Sequence, residues 1–247
     1  MPQPVITIPS FAANDGGIAH FFGTRHSEFD VTPGMSISAG RMRFHSAAPA
    51  TLIAVKQVHG TEVLVIDRPV LDGQSFDGGW DALVTDQPDV AVTVRTADCV
   101  PVLLHDPGRR VVAAIHAGWR GAVAGIVPKT IAALAGRFSS EAASLRMAVG
   151  PSAGSCCYEV DEPVLSQLRE AFPDWQSVVR GPRGPQKAML DLRELIRRQA
   201  VGSGLLEDAI SVVNACTICH PNLFFSYRRE GIVKRTMVSG IALVTPR

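Results

Sequence analysis

From Leu52 onward the chain becomes a close succession of short apolar runs, and this density of strand-forming segments constrains the fold more than any other feature. Residues 52–58, 62–66, 82–85, 90–94, 100–105 and 110–116 are rich in valine, isoleucine and leucine, and the stretches between them carry Gly, Pro or Asp. Branched side chains of this kind suit a pleated, half-buried surface, and the intervening residues suit turns. Strands so short and so numerous bury their apolar faces only by pairing, so at least one large sheet is required.

The rest of the chain changes rhythm. Residues 121–138 place Val123, Ile126, Val127, Ile131, Leu134 and Ala135 on one face at helical spacing, after Gly118 and Gly121 mark the turn out of the preceding strand. A strand at 145–149 leads to a helix at 161–172, opened by Asp161, Glu162 and Pro163 and closed by Pro173. Residues 179–187 contain Gly181, Pro182, Gly184 and Pro185 and read as a surface loop. A helix at 191–200 stops at Gly202 and Gly204, and strands follow at 210–213, 223–227 and 236–244. The first fifty residues are rich in Gly, Ser, Pro and Ala, with 18–22 as an edge strand. Strands, helices and strands again, without steady βαβ alternation, predict an α+β (mixed α/β) fold of mixed sheets flanked by helices rather than a doubly wound one. At 247 residues the chain is expected to form a single domain over 1–247.

Charge narrows the partners. With 24 Lys and Arg against 23 acidic residues the net charge is +1, so no global field holds nucleic acid or an anionic membrane, although a local anion site stays open. No apolar run approaches the ~18 residues that cross a bilayer. The opening Met1-Pro2-Gln3-Pro4-Val5 lacks a basic segment ahead of an apolar one, which predicts a cytoplasmic protein. Five cysteines, an odd number with Cys156 and Cys157 adjacent, do not make the even framework of a secreted disulfide scaffold and suit free thiols in a reducing compartment. Near-neutral charge and the lack of a heptad pattern leave a monomer or weak oligomer as the expectation.

His59, Cys99 and His116 each stand at the end or edge of an apolar segment beside small or polar neighbours. Two imidazoles and a thiolate suit one tetrahedral zinc with a fourth position open for water or substrate. Their separations, about 40 and 17 residues, match no local zinc-binding spacing, and each taken singly reads as a strand-end histidine or an inert buried cysteine rather than as a ligand. His116-Ala117-Gly118-Trp119-Arg120-Gly121 joins a strand to a helix, so its backbone N–H groups and the Arg120 fork suit an anion such as phosphate, the alternative being a tight turn with Trp119 in the core. Phe224 to Gly231 combines aromatic rings with Arg228 and Arg229, groups that stack on a base or hold phosphate, or else form an edge strand with solvated arginines. Cys216-Thr217-Ile218-Cys219-His220 has the spacing of c-type haem attachment and of a redox dithiol. A four-thiolate zinc site would want a second C-x-x-C, and Cys156-Cys157 lacks that spacing, so these cysteines are expected to be structural or pocket-lining, with a second metal site as the alternative.

Lys56-Gln57-Val58-His59-Gly60, Thr96-Ala97-Asp98-Cys99, His116 to Gly121, Gly150-Pro151 with Cys156-Cys157-Tyr158-Glu159-Val160, and Phe224 to Arg229, taken in order, closely resemble the YfiH family, also called laccase-domain or multicopper polyphenol oxidases. The resemblance implies a layered αββα sandwich and a zinc site on His59, Cys99 and His116. It further implies a purine nucleoside phosphorylase acting on adenosine, inosine and S-methyl-5'-thioadenosine, with adenosine deaminase activity. The chain departs from the family where Thr24-Arg25 is followed by His26-Ser27-Glu28-Phe29, where Met35-Ser36-Ile37-Ser38 replaces a Ser-Leu-Asn-Leu segment, and where Val233-Lys234-Arg235 replaces Thr-Gly-Arg.

On this reading Arg120 binds phosphate, Asp98 is the candidate acid or base, and Arg25, Gln57, Arg228 and Arg229 are candidate contacts for nucleoside or phosphate. An oxidase of several coppers would gather many histidines, largely as His-x-His pairs. This chain has seven histidines and no such pair, so a copper cluster is not expected; Cu2+ outranks Zn2+ in intrinsic affinity, and one copper substituting in the zinc site would make a slow copper-dependent polyphenol oxidase, a lesser alternative. Two further readings are a metal-free hydrolase with Cys99 as nucleophile and His116 or His59 as base, and a zinc-stabilised binding protein without turnover.

Overall fold

The structure, a computed structural model, describes residues 5–12, 17–27, 40–43, 49–70, 74–88, 90–181, 186–232 and 235–244. The departures at Glu28-Phe29, Met35 to Ser38 and Val233-Lys234 lie outside these residues. Among the described residues the apolar runs form two six-stranded sheets and one of three strands. In spatial order the first sheet is Val5–Ile6, Ile18–Gly23, Met237–Leu243, Val90–Thr96, Pro49–Ile53 and Gly40–Arg43. The second is Ile210–Val212, Arg146–Val149, Val100–Asp106, Val111–Ala117, Ala82–Thr85 and Val63–Ile66. Both sheets mix parallel and antiparallel pairs, so the fold is the mixed α/β one that the strand pattern predicts.

Alternation along the strands builds the layers. In Val111–Ala117, Val112 and Ala114 face the first sheet and join Phe22, Ile53, Val92, Val94, Leu103 and Ile241 in the inter-sheet core. Val111, Ala113, Ile115 and Ala117 face the other way, against helices Ile126–Phe138, Glu162–Ala171 and Leu192–Gly202. The three-stranded sheet, Glu159–Asp161, Lys187–Leu190 and Val179–Arg180, feeds Val160, Ala188 and Leu190 into the same cluster.

Several segments differ from the sequence expectation for identifiable reasons. The helix expected at 121–138 starts earlier and is two helices, Trp119–Val123 and Ile126–Phe138, because Gly125 takes a left-handed φ of 81° that interrupts the first. Residues 18–22 are not an edge strand: Ile18–Gly23 lies between Val5–Ile6 and Met237–Leu243. The loop expected at 179–187 is flanked by paired strands, with Val179 opposite Leu190. Pairing of 52–58 stops at Ile53; farther on, the Gln57 side-chain amide substitutes for the main chain, donating to the Arg95 carbonyl and accepting the Arg95 N–H, both at 2.8 Å. Residues 223–227 do not form a strand. Ser226 caps a short helix, Tyr227–Glu230, by accepting the Arg229 N–H at 3.2 Å, a local hydrogen bond that competes with strand pairing.

Candidate active site

Three strand ends meet at one end of the second sheet. Val100 pairs with Ala117, Pro101 with His116 and Ala82 with Ile115, so His116 in the last rungs of the ladder and Cys99, Gly118 and Asp81 just outside it are brought to a common rim. The His116 N–H donates to the Asp81 carbonyl at 2.7 Å, which closes that end of the pairing. His59 arrives from a turn that faces the same rim, with Trp80 N–H donating to Lys56 O at 2.9 Å.

The ligand atoms of His59, Cys99 and His116 all lie within 4.8 Å of one another. His59 Nε2 is 3.8 Å from Cys99 Sγ, and the two imidazoles meet edge to face at 4.7 Å between centroids. His116 is buried, Cys99 half-buried and His59 exposed, so the cluster opens to solvent on the His59 side. Gly118 makes the approach possible. A Cβ there would sit 2.8 Å from His59 Cδ2 and 3.2 Å from Cys99 Sγ.

Asp81, which sequence reasoning did not select, organises the set. Its carboxylate is fully buried, accepts from His116 Nδ1 at 2.7 Å, and accepts the N–H groups of His59 at 2.9 Å, Gly60 at 2.7 Å and Val58 at 3.3 Å. One carboxylate thus fixes both the His116 ring and the turn that carries His59, whose φ of 61° is unusual for a non-glycine residue. With Nδ1 bonded to Asp81, His116 presents Nε2 to the cluster. Burial opposes the Asp81 charge, yet the hydrogen bonds from His116 and the Gly60 and Val58 N–H groups hold its carboxyl below the usual range. Burial also disfavours charge on His116, but Cys99 and Asp81 outweigh it and lift its pKa to about 9. At Cys99 burial disfavours the thiolate, while the His116 charge and hydrogen bonds from His116 and His59 bring the pKa down to about 6. A thiolate and two imidazoles with an orienting carboxylate fit a single zinc ion, and the solvent-facing side leaves room for a fourth ligand.

The other candidates divide by what they touch. Asp98 (φ 90°) accepts from Thr217 Oγ1 at 2.6 Å, Ser226 Oγ at 3.0 Å and the Arg228 N–H at 2.7 Å, so its carboxylate ties two loops to the strand end beside Cys99. Arg229 is engaged internally, donating to the carbonyls of Thr217, Ile218 and Phe224 and to Glu230. Arg228 instead lies over the Tyr158 ring at 5.1 Å. Tyr158 was another omission from the sequence-derived site: burial and the Cys99 charge raise its pKa to about 12 against the opposing effect of Arg228, so it is a neutral hydroxyl in electrostatic range of Cys99. Arg120 is exposed and stacks on Trp119 at 4.3 Å, two residues beyond Gly118, which touches the cluster. Arg25 donates to Pro221 O and lies 4.9 Å over Phe225, and both ends of the Gln57 amide are held by Arg95.

Fold and site together define a mixed α/β protein with a His/Cys cluster able to hold a metal ion at the rim of a sheet. The chain belongs to the family described as multi-copper polyphenol oxidoreductase laccase, which matches residues 34–244. A Bacteroides thetaiotaomicron protein named purine nucleoside phosphorylase is 32% identical over 247 residues, covering 92% of each chain. A Corynebacterium glutamicum protein of the same name is 38% identical over 188 residues, 76% of this chain and 73% of that one. The crystal structure of YlmD from Geobacillus stearothermophilus superposes with a TM-score of 0.79 at 26% identity, covering 98% of this chain and 97% of that one. Among the described residues, no cluster of histidines for several coppers accompanies the family's name: the two groups able to hold an ion are His59/Cys99/His116 and a set of four cysteines. No helix among the described residues is long and apolar enough to cross a membrane.

Proposed function

We propose that this chain is a purine nucleoside phosphorylase acting on adenosine, inosine and S-methyl-5'-thioadenosine, with adenosine deamination as a side activity at the same site. The observation that carries the reading is the Asp81-oriented His59/Cys99/His116 cluster, with exposed Arg120 two residues after Gly118 and exposed Arg228 over Tyr158, in a chain whose relatives bear that name. In phosphorolysis a phosphate oxygen bonds to the ribose C1', the bond from C1' to the purine nitrogen breaks, and its electron pair leaves with the base, which takes up a proton. Positive charge develops on the sugar and negative charge on the base, so anion-holding and hydrogen-donating groups must be in place beforehand.

Arg120 is assigned to phosphate, its guanidinium kept extended by stacking on Trp119. Arg228 is assigned to nucleoside, with Tyr158 beneath it offering an apolar face and a neutral hydroxyl. Asp98, whose carboxylate is engaged by three donors, acts as a positioning residue for Arg228 rather than as the proton donor. When bound at His59, Cys99 and His116, zinc supplies Lewis-acid chemistry for polarising a reacting group. The test is chromatography of the three nucleosides incubated with pure protein, with and without phosphate. Release of free base that requires phosphate is expected, and unchanged nucleosides in every case would refute the assignment.

A second reading is favoured by one observation: Cys99, His116 and Asp81 stand in the order of a thiol, imidazole and carboxylate triad. A metal-free cysteine hydrolase of this kind retains full activity after chelation and loses it on alkylation of Cys99. The phosphorylase reading expects chelation to remove activity.

A further inference from the structure

We propose that Cys156, Cys157, Cys216 and Cys219 form a second metal site, a four-thiolate structural zinc centre separate from the His59/Cys99/His116 cluster. The absence of a second C-x-x-C does not matter to the fold, because two distant loops supply the thiols. Ser152 and Cys216 form a parallel bridge, and the Thr217 N–H donates to Ser152 O at 3.0 Å, which lays the loop after Gly150 along the Cys216 to Cys219 turn. All four sulfurs then lie within 4.8 Å of one another, with Cys219 Sγ 3.5 Å from Cys156 Sγ and 3.2 Å from Cys157 Sγ. Sulfurs about 2.3 Å from a tetrahedral zinc stand roughly 3.8 Å apart, so small side-chain rotations bring the four to coordination distance.

The Cys216 sulfur is prepared for an anion. It is buried and accepts the Gly154 N–H at 3.3 Å, and the backbone N–H groups of Cys219 and Ile218 also point at it. A C-x-x-C turn that directs its own N–H groups at its first sulfur stabilises a thiolate ligand. Four sulfurs crowded this closely favour a dication between them, and its binding displaces the thiol protons.

The position gives the site a consequence. Thr217, inside the cysteine turn, donates to Asp98, and the carbonyls of Thr217 and Ile218 accept Arg229. Cys157 directly precedes Tyr158. A metal there fastens together the two loops that form the far wall of the first site, at a place where Cys156 and Cys219 are otherwise exposed.

The test uses the full chain, purified and kept under reducing, oxygen-free conditions, then loaded with Zn2+ and freed of excess metal. Elemental analysis is expected to find two equivalents in the wild type and one in each of Cys219→Ser, Cys157→Ser and Cys99→Ser. Substitution with Co2+ provides a readout besides stoichiometry: Cys99→Ser retains the intense sulfur-to-cobalt absorption of a four-thiolate centre, and Cys219→Ser loses most of it. Mass spectrometry after maleimide treatment is expected to show all four thiols protected in the Zn2+-loaded wild type and reactive after chelation. A Zn2+ content that Cys219→Ser and Cys157→Ser leave at the wild-type value, or four thiols that label equally fast with and without Zn2+, would overturn the proposal. Because these readouts do not depend on turnover, failure here is distinguishable from failure of the phosphorylase assignment.

Discussion

Substituting Asn for Asp81 tests whether the first cluster is built by its carboxylate. The change conserves shape and removes one acceptor oxygen from a buried group that accepts four hydrogen bonds. Oδ1 accepts from His116 Nδ1 and the His59 N–H, and Oδ2 from the Val58 and Gly60 N–H groups, so the remaining oxygen can serve one pair and the new amide NH2 faces the donors of the other. Facing Gly60, it sets two donors against each other. Facing His116, it requires Nδ1 to accept, which moves the ring proton to Nε2, the nitrogen that a metal needs unprotonated. Losing a second-shell partner of a ligating histidine costs about 10–100-fold in metal affinity, or roughly 1.4–2.7 kcal/mol. One buried unsatisfied donor costs about 1–3 kcal/mol of stability in the metal-free chain, or ~2–12 °C in Tm for a chain of this size. Competition with a chromophoric chelator gives the affinity, circular dichroism gives Tm, and nitrogen NMR of labelled histidine gives the His116 tautomer. A folded Asp81→Asn protein that binds Zn2+ within twofold of wild type, with its proton still on Nδ1, would refute the argument.

Gly118→Ala tests the steric half of the same site. The backbone of Gly118 is extended (φ −70°, ψ 165°) and accepts any residue, so the methyl acts only through contact with His59 and Cys99; Zn2+ affinity in the chelator assay is expected to fall at least about tenfold. Arg228→Ala and Arg229→Ala are expected to separate cleanly. Removing Arg229 leaves the carbonyls of Thr217, Ile218 and Phe224 without their donor and lowers stability by about 2–3 kcal/mol in urea unfolding. Removing the Arg228 side chain leaves stability within about 0.5 kcal/mol and raises the nucleoside KM about tenfold, the equivalent of one lost contact of 1.4 kcal/mol. His20 supplies a pH dependence. Burial lowers its pKa from 6.5 to about 4, and its Nε2 accepts the Ile8 N–H at 2.9 Å. Between these values the unfolded chain binds a proton that the folded chain refuses, so stability falls as pH drops from 6.5 to 4, by about 3 kcal/mol. Urea midpoints measured across that range should fall less steeply in His20→Gln, and parallel curves would refute the assignment.

What the sequence makes legible follows from the range over which each determinant acts. Strands such as Val100–Asp106 and Val111–Ala117 are visible because their branched residues report locally on a pleated, buried surface. The capped turn at Ser226 is not, because the apolar and aromatic residues Leu223, Phe224, Phe225 and Tyr227 resemble a strand and the carboxylate that takes the Arg228 N–H comes from 130 residues away. His59, Cys99 and His116 stand out by the chemistry of their side chains, and the fold brings them together. Asp81 has no such signature: a carboxylate at the head of an apolar strand is ordinary, and it becomes the orienting group only through the register that sets Ala82 opposite Ile115. The cysteines show the same limit in another form. Local spacing finds Cys216 and Cys219 and dismisses Cys156 and Cys157, yet the Ser152 to Cys216 bridge makes the two pairs neighbours. Residues that present a reactive atom can be picked from the chain one at a time, whereas those that aim it are defined by pairing. For this reason the strongest tests of the site lie at Asp81 and Gly118, whose roles exist only in the folded register, rather than at the ligands alone.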